Sequence, residues 1–238
     1  MALPINTATI YNLILPSTGK SLKYRQFFVK EEKSLMIAHQ SEDVKVMIDT
    51  LKSVVKACVL DDIDVDKLAT FDLEYLFTQI RAKSVGENIE LLFGCDDCPD
   101  DPKAKAKVSI DLTTLEVVKV PNHTSNIPLF NDVGVMMKYP TMDLIKSIEN
   151  IDESDFEQLV MVVVNSIESI YTGSEVFHAK EQTQEELTKF VENLTSEQFA
   201  KIQEFFETMP KLRHEVDYTC PVCNKAHHKV LEGINSFF

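Results

Sequence analysis

The sequence predicts an α+β fold, and three observations carry the prediction. Alternating apolar and polar residues flank two Cys-x-x-Cys pairs, Cys95-Asp96-Asp97-Cys98 and Cys220-Pro221-Val222-Cys223, as in strands that end in tight turns. Elsewhere apolar residues recur at three- and four-residue steps, the period of an amphipathic helix. The chain of 238 residues is 44% hydrophobic, enough for a real core. The expected organisation is an N-terminal β-hairpin plus helices over residues 1–87, a four-cysteine, ribbon-like β element over residues 88–140 and 211–238, and a helical bundle, residues 141–210, inserted between its two knuckles.

The N-terminal elements follow from local chemistry. Tyr11, Leu13 and Leu15 share one face of a strand, Pro16-Ser17-Thr18-Gly19-Lys20 turns the chain, and Ser21 to Phe28 returns as a hairpin. The Gly19-Lys20 pair is not a phosphate loop, because the first glycine is missing and a strand follows instead of a helix. Lys30-Glu31-Glu32-Lys33 opens a helical stretch through Leu35, Met36 and His39. Ser41 is the expected N-cap of the next helix, whose stripe runs Val44, Met47, Ile48, Leu51, Val54, Val55 and Cys58. Cys58, at the end of that stripe, reads as a small buried residue. Asp61 to Asp66 lacks the glycine and glutamate of a calcium loop and reads as an acidic helix start. A further helix over residues 67–83 turns Leu73, Leu76, Phe77 and Ile80 inward and stops at Gly86.

The cysteine pairs come at strand ends. Ile89, Leu91 and Phe93 precede the first and Val108, Ile110 and Leu112 follow it; Val216 and Tyr218 precede the second, and residues 228–238 can return beside them. A two-residue gap lets both sulfurs of one turn reach a single metal, and four thiolates complete a tetrahedron. Cys95, Cys98, Cys220 and Cys223 are therefore the expected ligands of one structural zinc ion in a zinc-ribbon-like element. His227 or His228 is the alternative donor in place of a cysteine, the simpler reading being solvent-facing residues of the closing turn. A redox Cys-x-x-Cys opens a helix, whereas turn sequence follows both pairs here. Disulfides need an oxidising compartment, and no apolar leader with a basic start precedes Leu3-Pro4, which points to a reducing one. Such a metal would clamp the two ends of the insert and offset its loop-closure entropy.

Beyond the first knuckle, Leu115 to Val120 is strand-like, Pro121, Asn122, Asn126 and Pro128 punctuate a loop, and Val133 to Tyr139 adds a strand. From Thr141 to Pro210 the pattern reads as almost wholly helical. Phe156, Leu159, Val160, Val163, Ile167 and Ile170 make one stripe; Leu187, Phe190, Val191 and Leu194 make another. Thr195-Ser196-Glu197-Gln198 is a capping box ahead of Phe199, Ile202, Phe205, Phe206 and Met209.

The bulk numbers exclude several functions. A net charge of -14 argues against nucleic acid, whose phosphates demand clustered Lys and Arg. No apolar run approaches the ~18 residues of a membrane span. Gly-x-Ser-x-Gly, His-Glu-x-x-His and the dinucleotide glycine pattern are all missing, and 38 acidic residues make carboxylate pairs uninformative. An interaction protein is expected ahead of an enzyme with an unrecognised site, which missing motifs alone do not exclude; self-association is left open.

One ordered set of residues goes further. Leu15-Pro16-Ser17-Thr18-Gly19-Lys20, Tyr24-Arg25, Phe28-Val29-Lys30-Glu31-Glu32-Lys33, Phe71-Asp72-Leu73-Glu74-Tyr75-Leu76 and Arg81-Ala82-Lys83-Ser84-Val85-Gly86-Glu87, followed by Cys-x-x-Cys, resemble the baseplate hub protein family of T-even-type contractile-tailed bacteriophages. The resemblance spans roughly the first half of the chain, and the C-terminal knuckle agrees with it. It implies a tail-morphogenesis protein, either a subunit or an assembly factor of the central hub. Such a protein is made in the host cytoplasm, is not an enzyme, and has other baseplate or tail hub proteins as partners. Whether it stays in the virion baseplate is open. Tyr24, Arg25, Lys30, Glu31, Glu32 and Lys33 are the expected partner contacts, with helix capping and salt bridging as the alternative account of the same residues. The competing function is a zinc-ribbon regulator that binds transcription or replication machinery through protein contacts.

Overall fold

A computed structural model of the protein describes residues 7–147 and 156–237. It is an α+β fold of two compact units. The first gathers the described residues up to Val65, Phe71–Val118 and those from Lys211 onward; the second holds Asp66–Thr70 and the described residues of Lys119–Pro210.

The first unit begins with the expected hairpin. Strand β1 (Ile10–Ile14) pairs antiparallel with β2 (Ser21–Arg25), Leu13 opposite Leu22, and both leucines are buried. The connecting turn places Gly19 at φ 70°, a conformation that suits a residue without a Cβ. Buried Asp72 accepts hydrogen bonds from the Ser17 N–H and hydroxyl, so this turn is tied to a helix rather than left open for a phosphate. Helix α1 (Val29–Ser41) starts with the Glu31 carboxylate reaching back to the Phe28 N–H. Helix α2 (Val44–Cys58) is capped by Asp43, whose carboxylate accepts the Lys45 and Val46 N–H groups. The expected cap, Ser41, is instead the last residue of α1: Glu42 at φ 54° breaks the helix first, and its successor carries the stronger acceptor. A short 3-10 turn, Val65–Lys67, then leads into α3 (Thr70–Ser84), which starts three residues later than its pattern suggests.

Strand β3 (Asn88–Gly94) pairs with β4 (Lys105–Asp111), and β5 (Glu116–Val118) closes this part of the chain. In the second unit, β6 (Asn126–Phe130), β7 (Val133–Met137), α4 (Met142–Ser147), α5 (Phe156–Ser166), β8 (Ile167–Thr172), β9 (Glu175–His178), α6 (Gln184–Glu192) and α7 (Ser196–Thr208) follow. The chain then returns to the first unit as β10 (Lys211–Thr219) and β11 (Ala226–Glu232).

The second unit corrects the expectation of an almost wholly helical insert. It contains a four-stranded antiparallel sheet in the order β6-β7-β8-β9, and residues 148–155 of the expected bundle lie outside the described residues. The stripe is helical through Ser166, but Ile167 and Ser169 are buried on either side of exposed Glu168, an alternation only a strand produces. Ile170, Tyr171 and Thr172 favour the pleated surface, and Gly173 at φ 54° turns the chain into β9. The expected loop around Asn126 and Pro128 is also a strand; proline is tolerated because β6 is an edge strand whose register shifts at Pro128. The core packs Val135, Met137 and Ile167 of the sheet with Val163 of α5, Val191 of α6, and Ile202 and Phe205 of α7.

In the first unit, β11, β10 and β5 form one sheet, with Lys211 opposite Val118. The points where the chain leaves for residues 119–210 and returns are thus adjacent strand partners. This corrects the expected clamp: backbone pairing closes that loop, while Cys220 lies nine residues further along β10, roughly 30 Å at the rise of a strand.

Half-buried Glu74 on α3 gives this unit a pH dependence. Its carboxylate accepts the Ile234 N–H at 3.2 Å, and burial pushes its pKa from 4.5 up to about 7. The folded chain holds this proton more tightly than the unfolded one, so the contribution to stability is complete below pH 4.5 and is lost as the pH rises through about 7. Glu74→Gln is expected to stabilise the protein at pH 8 by about 2–3 kcal/mol and to flatten the profile between pH 5 and 8, as read by urea unfolding across that range. An unchanged profile would remove Glu74 as its source. Among the described residues no helix is long and apolar enough to cross a membrane.

Candidate metal centre

Two hairpins remote in sequence deliver the four cysteines to one place. Each pair sits where a strand runs out: Cys95 follows β3 and Cys220 follows β10. In the first turn the Cys98 N–H donates to the Cys95 carbonyl and the Ala104 N–H to the Asp101 carbonyl, which folds residues 95–104 back toward β4. In the second, the Asn224 N–H donates to the Cys220 carbonyl, Asn224 takes φ 57°, and the Cys220 N–H donates to Lys225. The Val222 N–H points at Cys220 Sγ, 3.4 Å away. Backbone donors turned onto a sulfur favour its thiolate.

The four Sγ atoms lie within 4.8 Å of one another. Cys95 and Cys220 are buried, Cys98 is half-buried and Cys223 is exposed. Cys95 Sγ stands 3.7 Å from Cys223 Sγ, and a tetrahedron with metal–sulfur bonds of about 2.3 Å has an edge of about 3.8 Å. The donor set and its spacing therefore fit a zinc ion with no coordination position left for water.

The protonation of these thiols points the same way. The N–H groups of Cys223 and Val222 pull the Cys220 thiol down to about 7, whereas its sulfur neighbour Cys223 together with burial pushes Cys98 up to about 12. Burial also raises Cys95. Without a cation the cluster resists full ionisation, because each further thiolate faces the charge of the first. A dication reverses that balance, and its binding releases protons.

Groups around the sulfurs fix the two turns to each other. Lys225 of the second knuckle bridges Asp97 of the first at 2.7 Å, and the pair holds the Asp97 carboxyl below its usual range. Tyr218 stacks between Phe93, with centroids 5.2 Å apart, and His227, 5.1 Å away, while its hydroxyl donates to the Gly94 carbonyl. His227 Nε2 lies 3.2 Å from Cys95 Sγ. His228 points elsewhere, bonded to Asp217 at 2.8 Å. The expectation of two solvent-facing histidines thus holds for His228 and is corrected for His227, which is half-buried against the tyrosine ring opposite it in the β10–β11 register. The alternation of Tyr218 with Val216 was the available signal, since it fixes which β11 residue Tyr218 faces once the hairpin register is known.

The six expected contact residues divide. Tyr24 is buried, packed at a tilt against the Tyr11 ring with centroids 5.5 Å apart, and its hydroxyl is pushed up to about 12, first by burial. Arg25 lies over the Phe28 ring at 4.6 Å and donates to Glu31 at 2.9 Å and to the Ala57 carbonyl at 2.8 Å. Glu31 is buried and caps α1, so these three act within the fold. Lys30, Glu32 and Lys33 are exposed on the first turns of α1, beside exposed Val29.

The comparison with known families is decisive for identity. No curated protein and no solved structure matches the chain. The family model described as T4 bacteriophage base plate protein matches residues 8–238, which takes in both hairpins and all four clustered cysteines. The match extends well past the N-terminal stretches that carry the sequence resemblance. The chain belongs to the T4 bacteriophage base plate protein family.

Proposed function

We propose that this base plate protein is a non-enzymatic subunit or assembly factor of the central hub, acting through contacts with other tail proteins. In this reading Cys95, Cys98, Cys220 and Cys223 hold one structural zinc ion. The observation that carries the metal reading is the convergence of four sulfurs from two distant hairpins to within 4.8 Å of one another, with one pair at the 3.7 Å of a tetrahedral edge. Family membership over nearly the whole chain supports the tail role. When bound, the ion supplies charge neutralisation and a rigid link between the turns; the chain's own part is to present the sulfurs, with backbone N–H groups and the Asp97–Lys225 bridge holding them in place. The product is a rigid surface rather than a reaction centre. No observation favours the regulator reading.

The contact surface is placed at Lys30, Glu32 and Lys33, whose side chains are free of the core. Lys30 is 74% exposed but stands 3.5 Å from the buried Glu31 carboxylate, so reversing its charge and that of Lys33 is expected to lower stability by about 1 kcal/mol and to leave the chain folded, as thermal melting of the variant checks. Co-expression of the protein with the remaining tail proteins, followed by isolation of hub complexes and finished particles, tests the reading. Retention of the unsubstituted chain in a hub complex, with several-fold less of the K30E/K33E double variant, is the expected result. A chain that enters no tail complex contradicts the function; equal retention of the variant contradicts only the surface.

A further inference from the structure

The zinc reading leaves His227 without a role, although it is the non-cysteine side chain whose nitrogen lies against a cluster sulfur at 3.2 Å. Two accounts are possible in chemistry: a nitrogen ligand that displaces a sulfur, or a donor to a sulfur that stays bound. The geometry separates them. The four sulfurs form one mutually close set, and His227 is not in it; it groups only with Cys95 and Asp97. Asp97 is already engaged by Lys225 at 2.7 Å. The imidazole therefore approaches the cluster from outside, on the Cys95 side.

Its orientation is imposed by packing. Tyr218 and His227 are directly opposite in the β10–β11 register, and their rings are stacked within 15° of parallel. Tyr218 is in turn stacked on Phe93 and bonded to the Gly94 carbonyl, the two residues that lead into Cys95. This column of three rings links β3 to the β10–β11 hairpin and sets the Nε2 edge of the imidazole on Cys95 Sγ. A neutral imidazole with its proton on Nε2 donates to a thiolate there, and the negative charge of a metal-bound sulfur favours that tautomer.

We propose that His227 is a positioning residue of the centre: its Nε2–H donates to the Cys95 thiolate, holds that sulfur on the cation and slows metal loss, while the imidazole itself takes no ligand place. This rests on the zinc reading and deepens it, because partners of metal-bound ligands typically contribute 10–100-fold in metal affinity. It also accounts for the contrast with His228, which sits next in sequence and is spent on Asp217.

The test uses the full chain loaded with cobalt or zinc. His227→Phe keeps a ring for the stack and removes the donor; His227→Gln restores a donor. Release of zinc to a chelator is expected to be at least about tenfold faster for H227F, with H227Q returning most of the way. The cobalt spectrum is expected to show four-sulfur coordination in the unsubstituted protein and in both variants. Cobalt bands that move from mixed sulfur–nitrogen to all-sulfur coordination in H227F would make His227 a ligand and overturn the proposal. Equal release rates for all three proteins would reduce it to a packing residue. Nitrogen NMR of the cadmium-loaded unsubstituted protein decides the matter without any variant: a proton on Nε2 supports donation, and a bare, cadmium-bound nitrogen contradicts it. If the unsubstituted protein takes up no metal at all, the zinc reading fails and the proposal with it, an outcome distinct from the others.

Discussion

Replacement of Cys220 by serine is expected to empty the metal centre and to lower stability by on the order of 5 kcal/mol. Cys220 is buried at 1% exposure, it is the cluster thiol pulled down to about 7, and the Val222 N–H is already turned onto its sulfur. A serine hydroxyl is a shorter and weaker ligand, and the three remaining sulfurs cannot complete the tetrahedron, so the link between the two turns is lost. Metal analysis together with thermal melting checks this: the variant should hold little zinc and melt well below the parent protein. Cys58→Ser is the control. Cys58 is fully buried away from the cluster and its thiol is pushed up to about 11 by burial, so its loss leaves the metal content unchanged. Parent-like melting and metal content in C220S would remove the centre as a structural element.

The second large effect belongs to the other unit. Phe205→Ala is expected to cost about 3–5 kcal/mol, because Phe205 is 2% exposed and its ring packs on three others. Its centroid lies 5.1 Å from His123, 5.6 Å from Tyr139 and 5.2 Å from Phe206. Truncation opens a cavity beneath a histidine whose ring nitrogens are already committed to Thr208 and Tyr139, so the imidazole is held back from filling it. Burial also holds the His123 pKa below its usual value, which keeps the imidazole neutral within this cluster. Urea unfolding should show the loss, while the zinc content stays at that of the parent. Loss of metal in F205A would contradict the assignment of the metal to the four cysteines of the first unit alone.

What could be seen in the sequence and what could not divides along physical lines. The α2 stripe, the β1–β2 hairpin and the two cysteine hairpins are local patterns with local causes, and the structure builds them, although Val44 at the head of the stripe is exposed. Ile167 and Ile170, three residues apart, share a helical face and fall on opposite faces of a strand; pairing with β7, which is not written in that segment, decides for the strand. Pro128 marks a loop by its own chemistry but is permitted in β6 because no further strand needs an N–H donor at that position. The closure of the insert by Lys211 and Val118 is likewise a non-local pairing. In the centre, the spacing named the four cysteines, whereas the part of His227 depends on which residue faces Tyr218 across a hairpin, a matter of register. Tyr24, Arg25 and Glu31 show the converse: they read equally well as contacts or as capping and ion-pair groups, and the burial of Tyr24 and Glu31 and the Arg25–Glu31 bond are seen only in the structure.

Zinc-edge X-ray absorption on the protein purified under reducing conditions tests the central claim most directly. One zinc per chain with a single shell of four sulfurs at about 2.3 Å is the result predicted. A zinc-free protein with four reactive thiols, or a shell of nitrogen and oxygen, would contradict it.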